Sequence, residues 1–155
     1  MNYDTLDLDF SWDGDLVLGS DGDLGDNRDD GIRSLENEIR TVVKSEMGDW
    51  QHHPSLGANL SEFRGEPNTR EIGKKIEQRV VSSLTNTGIV RLEDLKVRVV
   101  PTSVHAILII ITVTAQATPY NRLSQGESIV VSLSYDSLED SVFFLPPSRT
   151  EWEGR

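Results

Sequence analysis

The sequence predicts an α+β fold in which two main helices pack on a small antiparallel sheet, with an N-terminal β-hairpin. Two observations predict this class. The period of the apolar residues changes along the chain from two to about 3.6 and back to two, which is the order strand, helix, strand. In addition, 155 residues fit one domain with an ordinary core, and no internal repeat is visible. We therefore expect a single domain over residues 1–145 and a tail over residues 146–155.

The N-terminal part, residues 1–28, is predicted to hold a hairpin and an acidic loop. Residues 5–12 alternate between apolar and polar side chains, and Asp13-Gly14, a frequent two-residue hairpin turn, follows them. Apolar residues return at 16–18 and supply the second strand. The acidic and glycine-rich stretch that begins at Gly19 is then expected to be a loop.

The first helix is expected to begin near Asp29, with Gly48 suited to its C-terminal end. Glu36 and Arg40 are one turn apart, which allows an ion pair on the surface of this helix. Its apolar stripe consists of Ile32, Leu35, Ile39, Val42 and Val43. The stripe predicts that one face of the helix is buried.

A second helix is expected after Pro67. Asn68 and Glu71 have the spacing of a capping box, with asparagine as the N-cap residue. The apolar stripe of this helix consists of Ile72, Ile76, Val80 and Leu84. The chain thus has two amphipathic helices that can pack on a sheet.

Three strands are expected after Gly88. Residues 95–99 alternate, so one face of this strand should lie in water. Residues 106–111 are apolar on both faces, which predicts a central strand that is covered on two sides. Residues 128–135 alternate between apolar and mostly small polar side chains, which suits an outer strand at the edge of the sheet.

Charge and composition limit the possible partners. Asp and Glu number 26 against 15 Lys and Arg, which gives a formal net charge of −11 without any block of basic residues. Since phosphate backbones are bound by clustered cations, nucleic acid is not expected as a partner. The absence of cysteine excludes disulfides and thiolate metal sites. The N-terminus does not read as a secretory signal and no apolar run reaches the length of a membrane span, so we expect a soluble protein.

One stretch has part of the pattern of a calcium-binding loop. It runs from Asp9 to Ser20, with oxygen ligands at its first, third and fifth positions and Gly14 at its sixth. Ser20 stands where a calcium loop needs a bidentate glutamate, and strands rather than helices are predicted on either side. An Asp-Gly hairpin turn explains the pattern better, so no calcium is expected.

The three histidines do not predict a zinc site. His52 and His53 are adjacent, and in an extended segment their side chains point apart. His105 is distant from them in sequence, and no pair of histidines has helical ligand spacing. We expect loop histidines, no metal and no cofactor.

Patterns of catalytic residues are weak as well. Glycoside hydrolysis needs two carboxylates at a set separation, and 26 acidic residues supply too many pairs to single one out. Glu66 before Pro67 stands out, and its simpler role is to stabilise the N-terminus of the following helix. The glycine patterns of nucleophile elbows, P-loops and dinucleotide-binding folds do not occur. The chain is therefore predicted not to be an enzyme.

The segment between the two helices, residues 48–71, is interpreted as a structural knuckle that turns the first helix back toward the second. Its structural residues are predicted to be Trp50, Pro54, Gly57 and Phe63. Its apolar contacts with the core are predicted to come from Trp50, Leu56, Leu60 and Phe63. The histidines are then loop or surface residues rather than parts of an active site.

The order of these parts resembles a known family. The motif D-F-x-W-D-G-D-L begins at Asp9 and precedes the acidic loop and the first helix. The knuckle contains H-P-S-L-G-A-N-L from His53, and V-R-L-E-D-L-K-V-R-V-V begins at Val90, after the second helix. Over roughly residues 5–135 the chain is similar to the baseplate wedge proteins of contractile phage tails, the sheath-initiator family once labelled "lysozyme-like".

The resemblance can be followed in two short elements. Pro54 and Gly57 match the Pro-x-x-Gly knuckle of that family. Many members carry Glu-Pro-Arg after the second helix, where this chain has Asn86-Thr87-Gly88. Contacts made by that motif in relatives are therefore not carried over.

The resemblance implies a structural baseplate component of a contractile phage tail or a related injection machine. It would be present in several copies in the sixfold baseplate of the virion. Its partners would be the tail sheath protein, baseplate wedge proteins and hub or tube proteins. Sheath strands would add to the outer strand, and the residues expected at that contact are Ser128, Val130, Ser132 and Ser134.

Two alternatives come from different classes of protein. The first is a peptidoglycan-cleaving baseplate enzyme, which would need a cleft with paired carboxylates and in which Glu66 would be the residue to replace. The second is a regulatory adaptor with the same fold that binds a single bacterial protein rather than a ring.

Overall fold

The computed structural model describes residues 9–11, 15–25, 31–115 and 126–145. The described elements are helix α1 (Gly31–Lys44), a 3₁₀ turn (Leu60–Phe63), helix α2 (Arg70–Asn86), a second 3₁₀ turn (Leu92–Asp94), and strands β1 (Leu95–Pro101), β2 (Ala106–Thr114), β3 (Ser128–Asp136) and β4 (Ser141–Phe144). The four strands form one antiparallel sheet in the order β1-β2-β3-β4. Two helices and an antiparallel sheet confirm the predicted α+β class.

The core lies between the two helices and one face of the sheet. Along β2 and β3 every second residue is buried, as expected for strands with one packed face. The fully buried residues of the helices include Leu35, Ile39, Val80 and Leu84, and those of the sheet include Ile109, Ile111, Val113 and Leu133. The apolar residues that recur with helical and with strand spacing in the sequence therefore pack together in a single hydrophobic layer.

Strand β2 is central, as predicted, but only one of its faces is covered by the helices. Ile107, Ile109 and Ile111 are buried, whereas Leu108 and Ile110 on the opposite face are only half-buried. Among the described residues, no second layer covers the face of Leu108 and Ile110, so cover on two sides is not seen there. An apolar run shows that both faces can be buried, but not that a second layer exists to bury them.

Helix α2 begins one residue later than its capping pattern predicts. The N-cap residue is Thr69, whose Oγ1 accepts a hydrogen bond from the N–H of Ile72 at 3.3 Å. Asn68 has a different role, since its side-chain amide donates to the carbonyls of Ser103 and Ala106, each at 3.0 Å. Asn68 thereby connects the helix entrance to the turn between β1 and β2.

Helix α1 ends at Lys44, so Gly48 is not its immediate C-terminal residue as the sequence suggested. Gly48 has a positive φ of 94° inside the knuckle, and its N–H donates to the carbonyl of Pro54. The glycine is used for a turn of the knuckle, where residues with a side chain are disfavoured.

The N-terminal segment contains two isolated antiparallel bridges, Phe10 with Leu16 and Leu18 with Leu24. The predicted Asp13-Gly14 turn and residues 5–8 of the predicted hairpin lie outside the described residues. The described part of the acidic loop includes a turn in which the N–H of Gly19 donates to the carbonyl of Asp23.

Candidate partner-binding surface

Strand β3, the predicted contact for added strands, is not at the edge of the sheet. It pairs with β2 along its whole length and with β4 from Leu133 to Asp136. The sequence did not predict β4, because four residues are too few to show a clear period. Ser134 therefore already has a neighbour, Phe143, and the prediction of an edge strand over 128–135 is wrong for this half.

The first half of β3 is different, because β4 does not reach it. The last described bond between the two strands runs from the N–H of Leu145 to the carbonyl of Ser132, at 2.9 Å. Backbone groups alternate in direction along a strand, so the N–H and C=O of Val130 point to this same side. Among the described residues they have no partner, and Val130 is 49% exposed. Among the described residues no strand lies beside this half of β3; we call this side of residues 128–131 the open lane, and the backbone groups that it offers are those of Val130.

The side chains predicted for the contact lie on the face of the sheet that the helices do not cover. Ser132 and Ser134 are half-buried and small, and they lie between larger side chains of the two neighbouring strands. In register, Ile110 and Leu108 of β2 flank them on one side, and Phe143 of β4 and Leu145, which follows β4, flank them on the other. The serines thus form the floor of a shallow channel along β3.

Two cations lie on the same uncovered face. Lys96 and Arg98 of β1 are exposed, and the register places them beside Thr112 and Ile110 of β2. In the part of the chain that the structure describes, neither cation has an ion-pair partner within 4.0 Å. The face is locally positive although the chain has a net charge of −11.

The outer edge of β1 is less suited to strand addition than the lane beside β3. The N–H of Thr102 donates to the carbonyl of Ala106, so the even-numbered residues of β1 face β2. The backbone groups of the odd-numbered residues therefore point away from β2, and these residues are Leu95, Val97, Val99 and Pro101. Pro101 has no N–H to offer, and the neighbouring strand positions carry Lys96 and Arg98. Prolines and charged side chains at a sheet edge oppose pairing with another chain.

The knuckle is built by hydrogen bonds around Gly57. This residue has a φ of 140°, and a Cβ at its position would lie 2.7 Å from the carbonyl carbon of Glu46. The next residue, Ala58, is fully buried and donates its N–H to the carbonyls of Val42 and Ser45. Only glycine allows this close approach of the returning chain to the end of α1.

A half-buried carboxylate, that of Glu46, holds the second half of the knuckle. Glu46 accepts hydrogen bonds from the Ser61 N–H at 3.2 Å and from the Ser61 hydroxyl at 2.8 Å. The Asn59 side chain accepts a bond from the N–H of Met47. These contacts fix the residues after α1 to the 3₁₀ turn.

The structure divides the predicted knuckle residues into two groups. Phe63 and Leu60 are buried and Leu56 is half-buried, as predicted. Trp50 is 46% exposed, and its Nε1–H donates to the hydroxyl of Ser45 at 3.0 Å. Trp50 therefore covers the end of α1 rather than filling the core, and the prediction of its burial is wrong. Pro54 is exposed and contributes its carbonyl to the bond with Gly48.

Tyr135 joins the knuckle to the sheet, which the sequence did not indicate. Its side chain is buried, and its hydroxyl lies 2.7 Å from the carbonyl of Leu60 and 3.1 Å from Oδ1 of Asp140. A phenol has one proton for these two acceptors. Burial, followed by the hydrogen bond and the charge of Asp140, raises the pKa of Tyr135.

The histidines do not converge. His52 and His53 are exposed in a turn of the knuckle. His105 lies before β2, and its buried Nδ1 has no hydrogen-bond partner within the described segments. Among the residues that can be described, no group of three or more His, Asp or Glu residues is placed to hold a metal ion.

Asp9, the first position of the calcium-like stretch, is occupied by another contact. Its carboxylate is buried and lies 2.5 Å from Nε of Arg33 on α1. Part of the stretch, residues 12–14, lies outside the described residues. A salt bridge with a guanidinium accounts for the acidic side chain without a metal.

Glu66, the residue singled out for the hydrolase alternative, is exposed beside a groove between the knuckle and α2. Glu62 lines the same groove and is paired with Arg79 at 2.5 Å. The carboxylate of Glu62 is therefore engaged in an ion pair rather than directed at a substrate. The pair therefore gives no specific support to glycoside hydrolysis.

Comparison of the chain with protein-family models and with curated proteins finds no match. In the described residues, no helix is long and apolar enough to cross a membrane.

Proposed function

We propose that the protein is a structural baseplate component of a contractile tail or a related injection machine. In this role it links the baseplate wedge and hub to the first sheath ring and nucleates sheath assembly by accepting a strand. The order of sequence motifs motivates the proposal, and the open lane beside the first half of β3 is the observation that carries it. It acts as a binding protein, without a catalytic role.

Strand addition needs unpaired backbone groups beside an ordered sheet. The lane beside residues 128–131 offers the N–H and C=O of Val130, and it continues the line of β4. A visiting strand there gains main-chain hydrogen bonds for affinity, and side-chain contacts give specificity. On the side of the core, the side chains of a visiting strand would lie beside Ile129 and Val131, which are buried.

The structure changes which of the predicted contact residues can pair with a sheath strand. Ser132 and Ser134 face β4, so their backbone groups are not available for a visitor while β4 is in place. Ser128 and Val130 lie beyond β4, and the backbone groups of Val130 remain the proposed contact. The visitor must therefore be short, because the lane extends over about half of β3.

Replacement of Val130 by proline tests the proposal directly. Proline removes the outward N–H of Val130 and leaves the bonds to β2 in place, because those are made by the odd-numbered residues of β3. We expect assembled baseplates and tubes with no ordered sheath in electron micrographs, together with a native melting curve. Val130→Ala is the matched control, since it keeps the N–H and should retain the sheath.

Normal sheaths on a folded Val130→Pro protein would contradict strand addition at this lane. Ser134→Pro is a second control for the assignment of the strands. Because the N–H of Ser134 faces β4, this variant should lower the melting temperature where Val130→Pro does not.

A further inference from the structure

The face of the sheet that the helices leave uncovered carries four apolar side chains beside two cations. The apolar side chains are Val100 of β1, Leu108 and Ile110 of β2, and Phe143 of β4. In the described part of the chain none of them belongs to the hydrophobic core, and Phe143 is 60% exposed. Since the uncovered face of an antiparallel sheet is usually polar, neighbouring apolar side chains on it mark a binding surface.

The register places these residues in two adjacent rows across the strands. The first row consists of Val100, Leu108, Ser134 and Phe143, and the second of Arg98, Ile110 and Ser132. Three strand spacings separate Val100 from Phe143, which is about 14 Å. An α-helix with its side chains is about 10–12 Å wide. One helix that lies along the strands therefore covers the apolar part of both rows.

Lys96 and Arg98 form the border of this surface on β1. Both are exposed, and within the described segments neither has an ion-pair partner within 4.0 Å. They are two residues apart on one strand, so their Cα atoms are separated by about 6.7 Å. Residues four positions apart on an α-helix are about 6 Å apart along its axis. Two acidic residues with that spacing on a helix therefore match the two cations.

The charge of the chain indicates which partner can supply such a helix. With a net charge of −11, two copies of the chain repel each other, which disfavours a second copy on this face. The local charge of the face is positive, because Lys96 and Arg98 are its only charged residues in the two rows and at their border. A partner of a different sequence with an acidic flank is the better match.

We propose that this face binds an amphipathic helix of a partner protein. The apolar stripe of the helix packs on Leu108, Ile110 and Phe143, and its acidic flank lies beside Lys96 and Arg98. The helix would form a second layer on the sheet, opposite α1 and α2. The proposal does not depend on the proposed function. A sheath strand would use the backbone of Val130 in the plane of the sheet, whereas the helix uses side chains of other residues that point out of it.

The test uses the full chain and a synthetic peptide with a fluorescent label. The peptide has about 18 residues, enough for a helix in water, with leucines in one stripe and glutamates four positions apart beside it. Fluorescence anisotropy at low salt measures its affinity for the wild-type protein, for Lys96→Glu with Arg98→Glu, and for Phe143→Ser. The matched control is Arg70→Glu with Lys74→Glu, which changes the net charge equally at two exposed cations of α2.

We expect saturable binding to the wild-type protein, weakened at least about tenfold by the charge reversal on β1 and less than about threefold by the reversal on α2. Phe143→Ser should also weaken binding. A peptide with lysines in place of the glutamates should bind the variant reversed on β1 better than it binds the wild-type protein. Unchanged melting temperatures of the variants show that the fold is retained.

An absence of saturable binding to the wild-type protein would overturn the proposal. Equal weakening by the two charge reversals would overturn it as well, because it would show attraction by net charge rather than contact at the face. A dimer of the wild-type protein in light scattering that dissociates on Phe143→Ser would show that a second copy occupies the face instead. None of these outcomes bears on the sheath test of Val130→Pro, so the two proposals fail separately.

Discussion

The two faces of the sheet are formed by the same residues in alternation, yet they have different chemistry. On the helix side, alternate positions of β2 and β3 are branched apolar residues and Tyr135, all almost fully buried. On the other side, β2 retains Leu108 and Ile110, while β3 carries Ser132 and Ser134. A face that only needed contact with water would not retain leucine and isoleucine at its centre. The difference indicates that one face stabilises the fold, whereas the other keeps apolar side chains that the described residues leave partly exposed.

The largest effect is expected from a matched pair of truncations on β2. Ile109→Ala removes a fully buried side chain and should lower the free energy of unfolding by about 2–5 kcal/mol, through lost burial and a cavity. Ile110→Ala, one residue along on the half-buried face, should cost less than about 1.5 kcal/mol. Chemical denaturation of both variants measures the difference. Similar losses would show that the uncovered face also contributes to the core.

The knuckle on the helix side should be sensitive at Gly57. Gly57→Ala introduces a Cβ that overlaps backbone atoms at 2.7 Å in a φ region unfavourable to L-residues, and we expect a loss of about 1–3 kcal/mol. Gly65 is the matched control, because its φ is also positive at 79° while no heavy atom lies within 4 Å of an added Cβ. In thermal denaturation, the melting temperature of Gly57→Ala should lie well below that of Gly65→Ala. Equal melting temperatures would contradict the close packing at Gly57.

Tyr135→Phe tests the link between the sheet and the knuckle. Losing the hydroxyl leaves the Leu60 carbonyl without this donor, and a cost of about 1–3 kcal/mol is expected. The pKa of folded Tyr135 is raised above the value of about 10 for an unfolded tyrosine, so its contribution is complete below that pH and is lost as the pH rises above it. The relevant window lies around the pKa of an unfolded tyrosine, roughly pH 9 to pH 11. Over this window the free energy of unfolding of the wild-type protein should therefore fall more than that of the variant. Parallel pH profiles would show that this tyrosine does not titrate differently in the folded state.

The smallest effect is expected from metal removal. The acidic residues of the N-terminal segment, Asp13, Asp15, Asp21 and Asp23, lie in predicted turns, and the carboxylate of Asp9 is paired with Arg33. A chelator should leave the melting temperature unchanged in dilute buffer. Magnesium at the same concentration is the control for ionic strength, and a large upward shift with calcium alone would restore the calcium-loop interpretation.

The sequence was sufficient to predict the elements whose signal is local. The stripe from Leu35 to Val43 predicted α1, and the alternation after Leu95 predicted that Lys96 and Arg98 would be exposed. Periods of 3.6 and two are properties of the backbone, so they appear wherever one side of an element is buried. The interpretation of residues 48–71 as a knuckle also named Gly57 and Phe63 as structural residues, and both are buried.

The neighbours of each element were decided only by the tertiary structure. Four residues of β4 remove Ser134 from the edge of the sheet, and Asn68 binds the carbonyls of Ser103 and Ala106 instead of capping α2. Tyr135 reaches the carbonyl of Leu60 across 75 positions of the sequence. Strand order, edge exposure and the partners of buried polar groups depend on contacts between distant residues, and the periodicity of one segment carries no information about which segment lies beside it. By itself the sequence determined the period, and hence the buried face, of α1, α2, β1 and β3, and the packing of the elements determined which surface the described residues leave open.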